Sequence, residues 1–102
     1  MHHGDADIGV YGLGTMGSAL ALNLADHGFK VAVSNKEADW IVPFIDASGP
    51  LEARLTGTET LSDFVAAIAR PRSILFMIPS GAPMDAMIDA IMPLLDEGDT
   101  II

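Results

Sequence analysis

The stretch that decides the fold lies near the start of this 102-residue chain, at Asp7–Gly17, and reads DIGVYGLGTMG. Its first five residues form a short, mostly apolar run that predicts a strand, and three glycines with GxGxxG spacing follow at once. Beyond them Met16, Leu20 and Leu24 recur at i, i+4 and i+8, as on one face of a helix. The stretch therefore predicts a strand, a tight turn and a helix.

The same alternation continues along the rest of the chain. Further strands are predicted at 30–34, 55–56, 73–78 and 100–102, and further helices at about 37–48, 60–69 and 83–95. Gly49-Pro50 is predicted to end the first of these helices, and Thr60 or Ser62 can cap the second. Pro93 is predicted to loosen the last turn of the final helix, which Gly98 would close. Alternating strands and helices joined by right-handed crossovers predict an α/β fold, a Rossmann-type doubly wound parallel sheet with strand order 3-2-1-4-5.

In such a sheet ligands bind at the carboxyl ends of the strands, where the strand order reverses. The expected crevice lies between the first and fourth strands. The loop after Tyr11 and the loop after Ile78 therefore face each other across it, and both are candidate binding segments.

The glycine turn is a candidate for binding the diphosphate of a dinucleotide. The first glycine permits the sharp turn, the second lets a diphosphate approach the backbone, and the third lets the helix pack closely on the strand. The helix N-terminus adds unpaired N–H groups and a partial positive charge. The alternative is a tight turn that binds no ligand. The predicted contact residues here are Gly12, Leu13, Gly14, Thr15, Met16 and Gly17.

The residues after the second strand bear on which dinucleotide is bound. NAD sites place a carboxylate there for the ribose 2′-hydroxyl, whereas a 2′-phosphate requires a cation. Asn35 occupies the expected acidic position, and Lys36 offers a positive charge. These two residues favour NADP, while Glu37 leaves NAD possible, and an ordinary solvated turn is the alternative.

After the fourth strand, the small residues in the run Ile78, Pro79 and Ser80 permit close approach of a cofactor, although such a turn also forms without a ligand. No segment offers an acid–base pair placed for hydride transfer, so no catalytic residue is predicted. No metal site is predicted either: the chain lacks cysteine, and its methionines read as core.

Composition limits the partners and the location. Half of the residues are hydrophobic, which predicts one folded domain from residue 7 to 102 after a disordered lead at 1–6. Fourteen acidic against five basic residues, a net charge of −9, disfavour nucleic acid and anionic membranes. The longest apolar run, Ile74–Pro79, is too short to span a bilayer, and the start lacks the features of a signal peptide. A cytoplasmic protein is expected.

Several segments together resemble the 6-phosphogluconate dehydrogenase family. They are the glycine stretch Asp7–Gly17, the short segments Asn23-Leu24 and Asp26–Phe29, the segment Arg70–Leu75 that leads into the fourth strand, and the segment Pro93–Ile102 that leads into the fifth. The glycine motif is shared with the wider β-hydroxyacid dehydrogenases, whereas the two later segments are more specific to this family. The resemblance covers nearly the whole chain from Asp7.

The resemblance implies an NADP-dependent oxidative decarboxylation of 6-phosphogluconate to ribulose 5-phosphate, by a cytoplasmic homo-oligomer that assembles through a helical domain. It places Gly12–Gly17 on the diphosphate, Asn35–Glu37 around the 2′-phosphate, and Ile78–Ser80 against the cofactor. Two residues depart from the family pattern: Lys36 stands where arginine is usual, and Glu37 where threonine is usual. These changes leave dual or NAD use open.

The family's catalytic lysine and glutamate and its helical domain follow this part of the sequence. We therefore expect the 102 residues to be an N-terminal piece that binds cofactor without turnover, cut within an apolar strand at Ile101-Ile102. Two other interpretations remain: another β-hydroxyacid dehydrogenase, of the 3-hydroxyisobutyrate type, or a nucleotide-sensing Rossmann module without catalysis.

Overall fold

A computed structural model of the chain describes residues 5–78 and 81–102. Strands and helices alternate along it, and they are β1 Ile8–Tyr11, α1 Thr15–Asp26, β2 Val31–Ser34, α2 Ile41–Ala47, β3 Leu55–Gly57, α3 Leu61–Ala66, β4 Ser73–Phe76, α4 Ala82–Ile91 and β5 Thr100–Ile101. Short 3₁₀ helices lie at Ala38–Trp40, Gly49–Arg54 and Met92–Leu94. Within the described ranges, no helix combines the length and apolar character needed to cross a bilayer.

The five strands form one parallel sheet in the order β3-β2-β1-β4-β5. This confirms the predicted Rossmann-type α/β fold and its strand order. The last residue of β1, Tyr11, pairs with Ser34 of β2 on one side and with Phe76 of β4 on the other. The carboxyl ends of the three central strands therefore lie at one level, and the loops that follow them meet at the same edge.

Side chains that alternate along β1 build a core on each face of the sheet. Val10 packs with α1 and α2 residues such as Ala21 and Ile41, and all three are at most 2% exposed. Tyr11 points to the other face, where its ring meets Phe64 and Phe76 edge-on with centroids 5.8 and 5.9 Å away. Two packed layers of helices therefore hold the sheet, and Tyr11 connects one of them to its carboxyl edge.

β4 and α3 end earlier than the sequence predicts. β4 stops at Phe76, two residues before the predicted end at Ile78, because its neighbour β1 ends opposite at Tyr11. α3 is capped by the Thr60 hydroxyl, which accepts a bond of 3.1 Å from the Asp63 N–H as predicted, but it ends at Ala66 rather than near 69.

The residues after α3 are used for pairing with the N-terminal segment. Ile68 lies opposite Ala6, the Ala6 N–H donates to the Ala67 carbonyl at 3.1 Å, and the Ala69 N–H donates to the Ala6 carbonyl at 2.8 Å. Ala6 is only 1% exposed. The lead predicted at 1–6 therefore does not include Ala6, since long-range pairing places it in the core.

The predicted loosening at Pro93 is present, but α4 ends earlier than predicted. α4 does not reach Leu95 or Gly98 but ends at Ile91, where the chain turns into the 3₁₀ helix that contains Pro93, which has no N–H to continue the ladder. The Gly49-Pro50 pair ends α2 as predicted but also begins the 3₁₀ helix Gly49–Arg54, which the sequence analysis did not foresee.

An ion-pair network joins β4 to β5 at the other edge of the sheet. The Arg72 guanidinium lies 2.9 Å from the Asp99 carboxylate and 3.1 Å from that of Asp96, and the Arg72 N–H donates to Asp99 at 2.7 Å. Burial alone would raise the pKa of Asp99, but the N–H groups of Arg72 and Asp96 and the guanidinium charge hold it below its usual value. The two segments that carry the family resemblance thus hold each other in place.

Candidate functional site

A cleft of about 580 Å³ lies at the carboxyl edge of the sheet, between the loops that follow β1, β2 and β4. The first two of these segments contribute Tyr11, Gly12, Gly14, Asn35, Lys36 and Glu37. The chain beyond β4 and the first half of α4 contribute Met77, Ile78, Pro83, Ala86 and Met87. The cleft therefore lies at the predicted crevice, where the strand order reverses.

Two of the three glycines are required by the fold. Gly12 has φ +107°, and a Cβ there would lie 2.9 Å from the Met77 carbonyl carbon in the opposing loop. At Gly17, on the buried side of α1, a Cβ would lie 2.9 Å from the carbonyl carbon of Gly12. Both positions exclude a side chain, the first by conformation and contact and the second by helix packing.

Gly14 differs because its environment is open. Apart from Gly14 and the adjoining chain, no described residue has an atom within 4 Å of where its Cβ would be, and its φ of −67° is ordinary for any residue. It is the N-cap of α1 and lines the cleft. As far as the described residues go, the space in front of the backbone at Gly14 is therefore open to a ligand, as the second glycine of the motif requires.

The N-terminus of α1 provides donors beside this space. The first N–H groups of a helix have no partner within it, and in the described part of the chain no side chain caps α1. Ser18, one turn further, bonds back to the loop through its hydroxyl, which donates to the Leu13 carbonyl at 2.8 Å. This bond holds the loop in place, while the first N–H groups of α1 remain available to an anion.

At the end of β2, the three predicted residues have different environments. Asn35 is buried, and its Oδ1 accepts a 2.7 Å bond from the N–H of Leu13. Its Nδ2 donates to the Glu37 carboxylate at 3.0 Å. Lys36 and Glu37 are exposed and line the cleft, so this rim carries one positive and one negative charge.

Of the remaining predicted residues, only Ile78 is among the described residues that line the cleft. Leu13 is buried behind the loop, whereas Thr15 and Met16 are exposed on the first turn of α1, Met16 to 73%. Ile78 lines the cleft as predicted. Pro79 and Ser80 lie outside the described residues.

Sequence reasoning missed Tyr11 and the face of α4. Burial, and then the negative charge of Glu37, raise the pKa of Tyr11, so its hydroxyl remains protonated at neutral pH. Pro83, Ala86 and Met87 form an apolar wall opposite Lys36 and Glu37. The available signal was the spacing of these three residues along α4, which puts them on one side of the helix.

The cleft can bind but shows little that could catalyse. Among its described lining residues only Tyr11, Lys36 and Glu37 have ionisable side chains, and they lie with the glycine turn on the side of β1 and β2. A backbone niche, one cation at the rim and an apolar wall are the features of a nucleotide site.

A family model described as the NAD binding domain of 6-phosphogluconate dehydrogenase matches residues 7–102. The chain belongs to this family. Its match to the family rests on nearly its full length, which confirms the resemblance seen in the glycine stretch and in the segments around Arg72 and Asp99.

Similar proteins agree with this membership. The chain is 44% identical over 98 residues to the decarboxylating 6-phosphogluconate dehydrogenase of Chlamydia trachomatis. It is 40% identical over 97 residues to the decarboxylating 6-phosphogluconate dehydrogenase 1 of Saccharomyces cerevisiae. These matches cover 96% and 95% of the chain but 20% of each relative. The chain therefore spans about a fifth of the length of these relatives.

A solved structure shows the same arrangement. The 6-phosphogluconate dehydrogenase of Plasmodium falciparum, studied in its apo form, with its cofactor NADP+ and with its substrate 6-phosphogluconate, superposes with a TM-score of 0.84 at 28% identity. The match covers 93% of this chain and 20% of that protein. In this family the domain is the part that binds the nicotinamide dinucleotide.

Proposed function

We propose that residues 7–102 bind NADP and form the cofactor domain of a longer 6-phosphogluconate dehydrogenase. The observation that carries the proposal is the open space at Gly14, which adjoins the α1 N-terminus and lies in the same cleft as Lys36. A bare backbone at this point accommodates a diphosphate, and a lysine at the rim accommodates a further phosphate.

Each side of the cleft fits one part of the dinucleotide. The N–H groups of Gly14 and of the first turn of α1 would hold the diphosphate, because those of Gly12 and Leu13 already donate to the Ser34 carbonyl and to Asn35. Lys36 would neutralise the 2′-phosphate as a point charge, without the bidentate geometry of arginine. The wall of Ile78, Pro83 and Met87 would cover the adenine, whose flat surface is suited to apolar contact. When bound, the nicotinamide would accept the hydride that the reaction removes.

The reaction itself would require further residues. The relatives are named for the decarboxylation of 6-phosphogluconate, and we propose the same oxidation, to ribulose 5-phosphate and CO₂, for the longer protein. The described lining of this cleft holds and orients the cofactor, and the groups that act on the substrate would lie in the rest of that protein. A cytoplasmic homo-oligomer, assembled through that remaining part, completes the proposal.

Glu37 supports NAD as a second cofactor. A carboxylate after the second strand of a Rossmann sheet accepts a bond from the ribose 2′-hydroxyl, and Glu37 lines the cleft one residue beyond Lys36. Its charge opposes a 2′-phosphate but not a hydroxyl. We therefore expect the domain to bind NADPH more tightly than NADH, but with modest discrimination.

The test is a titration of the 102-residue chain with NADPH and with NADH, followed by cofactor fluorescence. Lys36→Ala should weaken NADPH about tenfold and NADH less than threefold, because an exposed charge pair to phosphate contributes on the order of 1 kcal/mol or slightly more. Lys30→Ala is the matched control, because it removes the same positive charge at a position outside the cleft, where Lys30 pairs with Asp5. Equal losses for the two cofactors in Lys36→Ala would refute the role of Lys36.

A further inference from the structure

Asn35 connects two segments that the sequence separates by more than twenty residues. Its Oδ1 accepts the N–H of Leu13 at 2.7 Å, within the glycine turn. Its Nδ2 donates to the Glu37 carboxylate at 3.0 Å and faces the Glu37 carbonyl at 3.3 Å. The side chain is buried at the end of β2, with 7% of the residue exposed.

These bonds leave Asn35 poorly suited to hold a phosphate. A side-chain amide has two N–H hydrogens, and both are directed at oxygens of Glu37. The remaining group, Oδ1, is an acceptor, whereas phosphate oxygens need donors. Asn35 lines the cleft, but its donors are already engaged.

We propose that Asn35 is a positioning residue, which fixes the glycine turn through Leu13 and does not itself bind the 2′-phosphate. The inference rests on the proposed function, because it concerns how the same cleft is organised. Leu13 lies between Gly12 and Gly14, so the bond to its N–H sets the direction of the backbone that receives the diphosphate. The ribose end and the diphosphate end of the site are thereby held as one unit.

This role has a signature in cofactor selectivity. NADPH and NADH carry the same diphosphate, so losing the bond to Leu13 weakens both equally, whereas losing a 2′-phosphate ligand weakens NADPH alone. We expect Asn35→Ala to raise the Kd of both cofactors about tenfold, since it leaves the buried Leu13 N–H without its acceptor.

The matched control is Ser34→Ala. Ser34 precedes Asn35 and also makes a buried bond, in which its hydroxyl donates to the Thr58 carbonyl at 2.7 Å, but it does not line the cleft. Both variants are titrated with NADPH and NADH well below their unfolding midpoints. Ser34→Ala should keep both affinities within a factor of about two while its midpoint falls.

A second variant keeps the test open if Asn35→Ala fails to fold. In the exchange Asn35→Asp with Glu37→Gln, the new carboxylate still accepts from the Leu13 N–H, and it now accepts from the Gln amide, so the bond between the side chains of residues 35 and 37 is kept with its direction reversed. Only the weaker contact to the carbonyl of residue 37 is lost. The net charge is unchanged. Because the new carboxylate at position 35 replaces that of Glu37 at the end of β2, the ribose 2′-hydroxyl keeps an acceptor, and we expect this double variant to bind NADH within about threefold of the unsubstituted chain.

The outcomes separate the two proposals. Equal losses in Asn35→Ala, normal affinity in Ser34→Ala and NADH binding by the exchange variant support the positioning role. The positioning role would be overturned by a loss confined to NADPH, by an equal loss in Ser34→Ala or by unchanged affinity in Asn35→Ala. A folded exchange variant that does not bind NADH would also overturn it. If the unsubstituted chain binds neither cofactor, the proposed function fails first, and this inference fails with it.

Discussion

Gly14→Val separates folding from cofactor binding at one position. The backbone at Gly14, with φ −67° and ψ −172°, is accessible to valine, and no described atom lies within 4 Å of the new Cβ. Valine is a poorer N-cap than glycine by about 0.5–1 kcal/mol, but it restricts the unfolded chain by a similar amount. The free energy of unfolding should therefore change by less than about 1 kcal/mol.

Binding should respond far more strongly to the same substitution. The isopropyl group would occupy the open space in the cleft where the diphosphate must come within about 3 Å of backbone amides. Displacing it would remove two charge-assisted hydrogen bonds, each contributing about 1.5 kcal/mol or more. The total of about 3 kcal/mol corresponds to roughly a hundredfold rise in Kd, for NADPH and NADH alike.

The assay combines urea unfolding with titration of both cofactors. Ala19→Val serves as the control, because it adds a similar apolar bulk on the exposed side of α1, outside the cleft. It should keep both affinities. A Gly14→Val variant that binds either cofactor normally would refute the assignment of this space to the diphosphate, and one that unfolds would refute the claim that the space is open.

Two further predictions concern stability. Gly17→Ala should lower the free energy of unfolding by about 3 kcal/mol, because its Cβ would overlap the Gly12 carbonyl, and urea titration showing an unchanged midpoint would contradict that packing. The pKa of Asp99 in the folded chain lies below its ordinary value of 3.8. The stability that ionised Asp99 gives the fold is therefore complete above its ordinary pKa and is lost as the pH falls through the pKa of the folded chain. Asp99→Asn should lower the free energy of unfolding by about 3 kcal/mol at neutral pH and flatten this acid dependence. Both effects are measured by urea unfolding at about pH 7 and pH 3, and an unaltered acid profile would exclude Asp99 as its source.

Local patterns predicted most of the elements and the place of the site. The apolar run before Gly12, the three glycines and the cap at Thr60 each act within a few residues, where steric limits and hydrogen bonding decide the conformation. The strand order followed from general rules on crossovers and was confirmed. Where prediction failed, at the end of α3 and at Ala6, a distant segment supplied the competing hydrogen bonds.

The sequence alone was sufficient to predict the strand, turn and helix that begin at Asp7–Gly17, the parallel sheet and the position of the crevice. These features depend on the period of the side chains and on the backbone geometry of glycine. The tertiary structure alone decided what Asn35 bonds to, which carboxylates surround Arg72, and that Tyr11 and α4 line the cleft. Asn35 and Arg72 bond to partners more than twenty residues away, and Tyr11 lines the same cleft as residues of α4. Only the register of the parallel strands brings such groups within hydrogen-bonding distance.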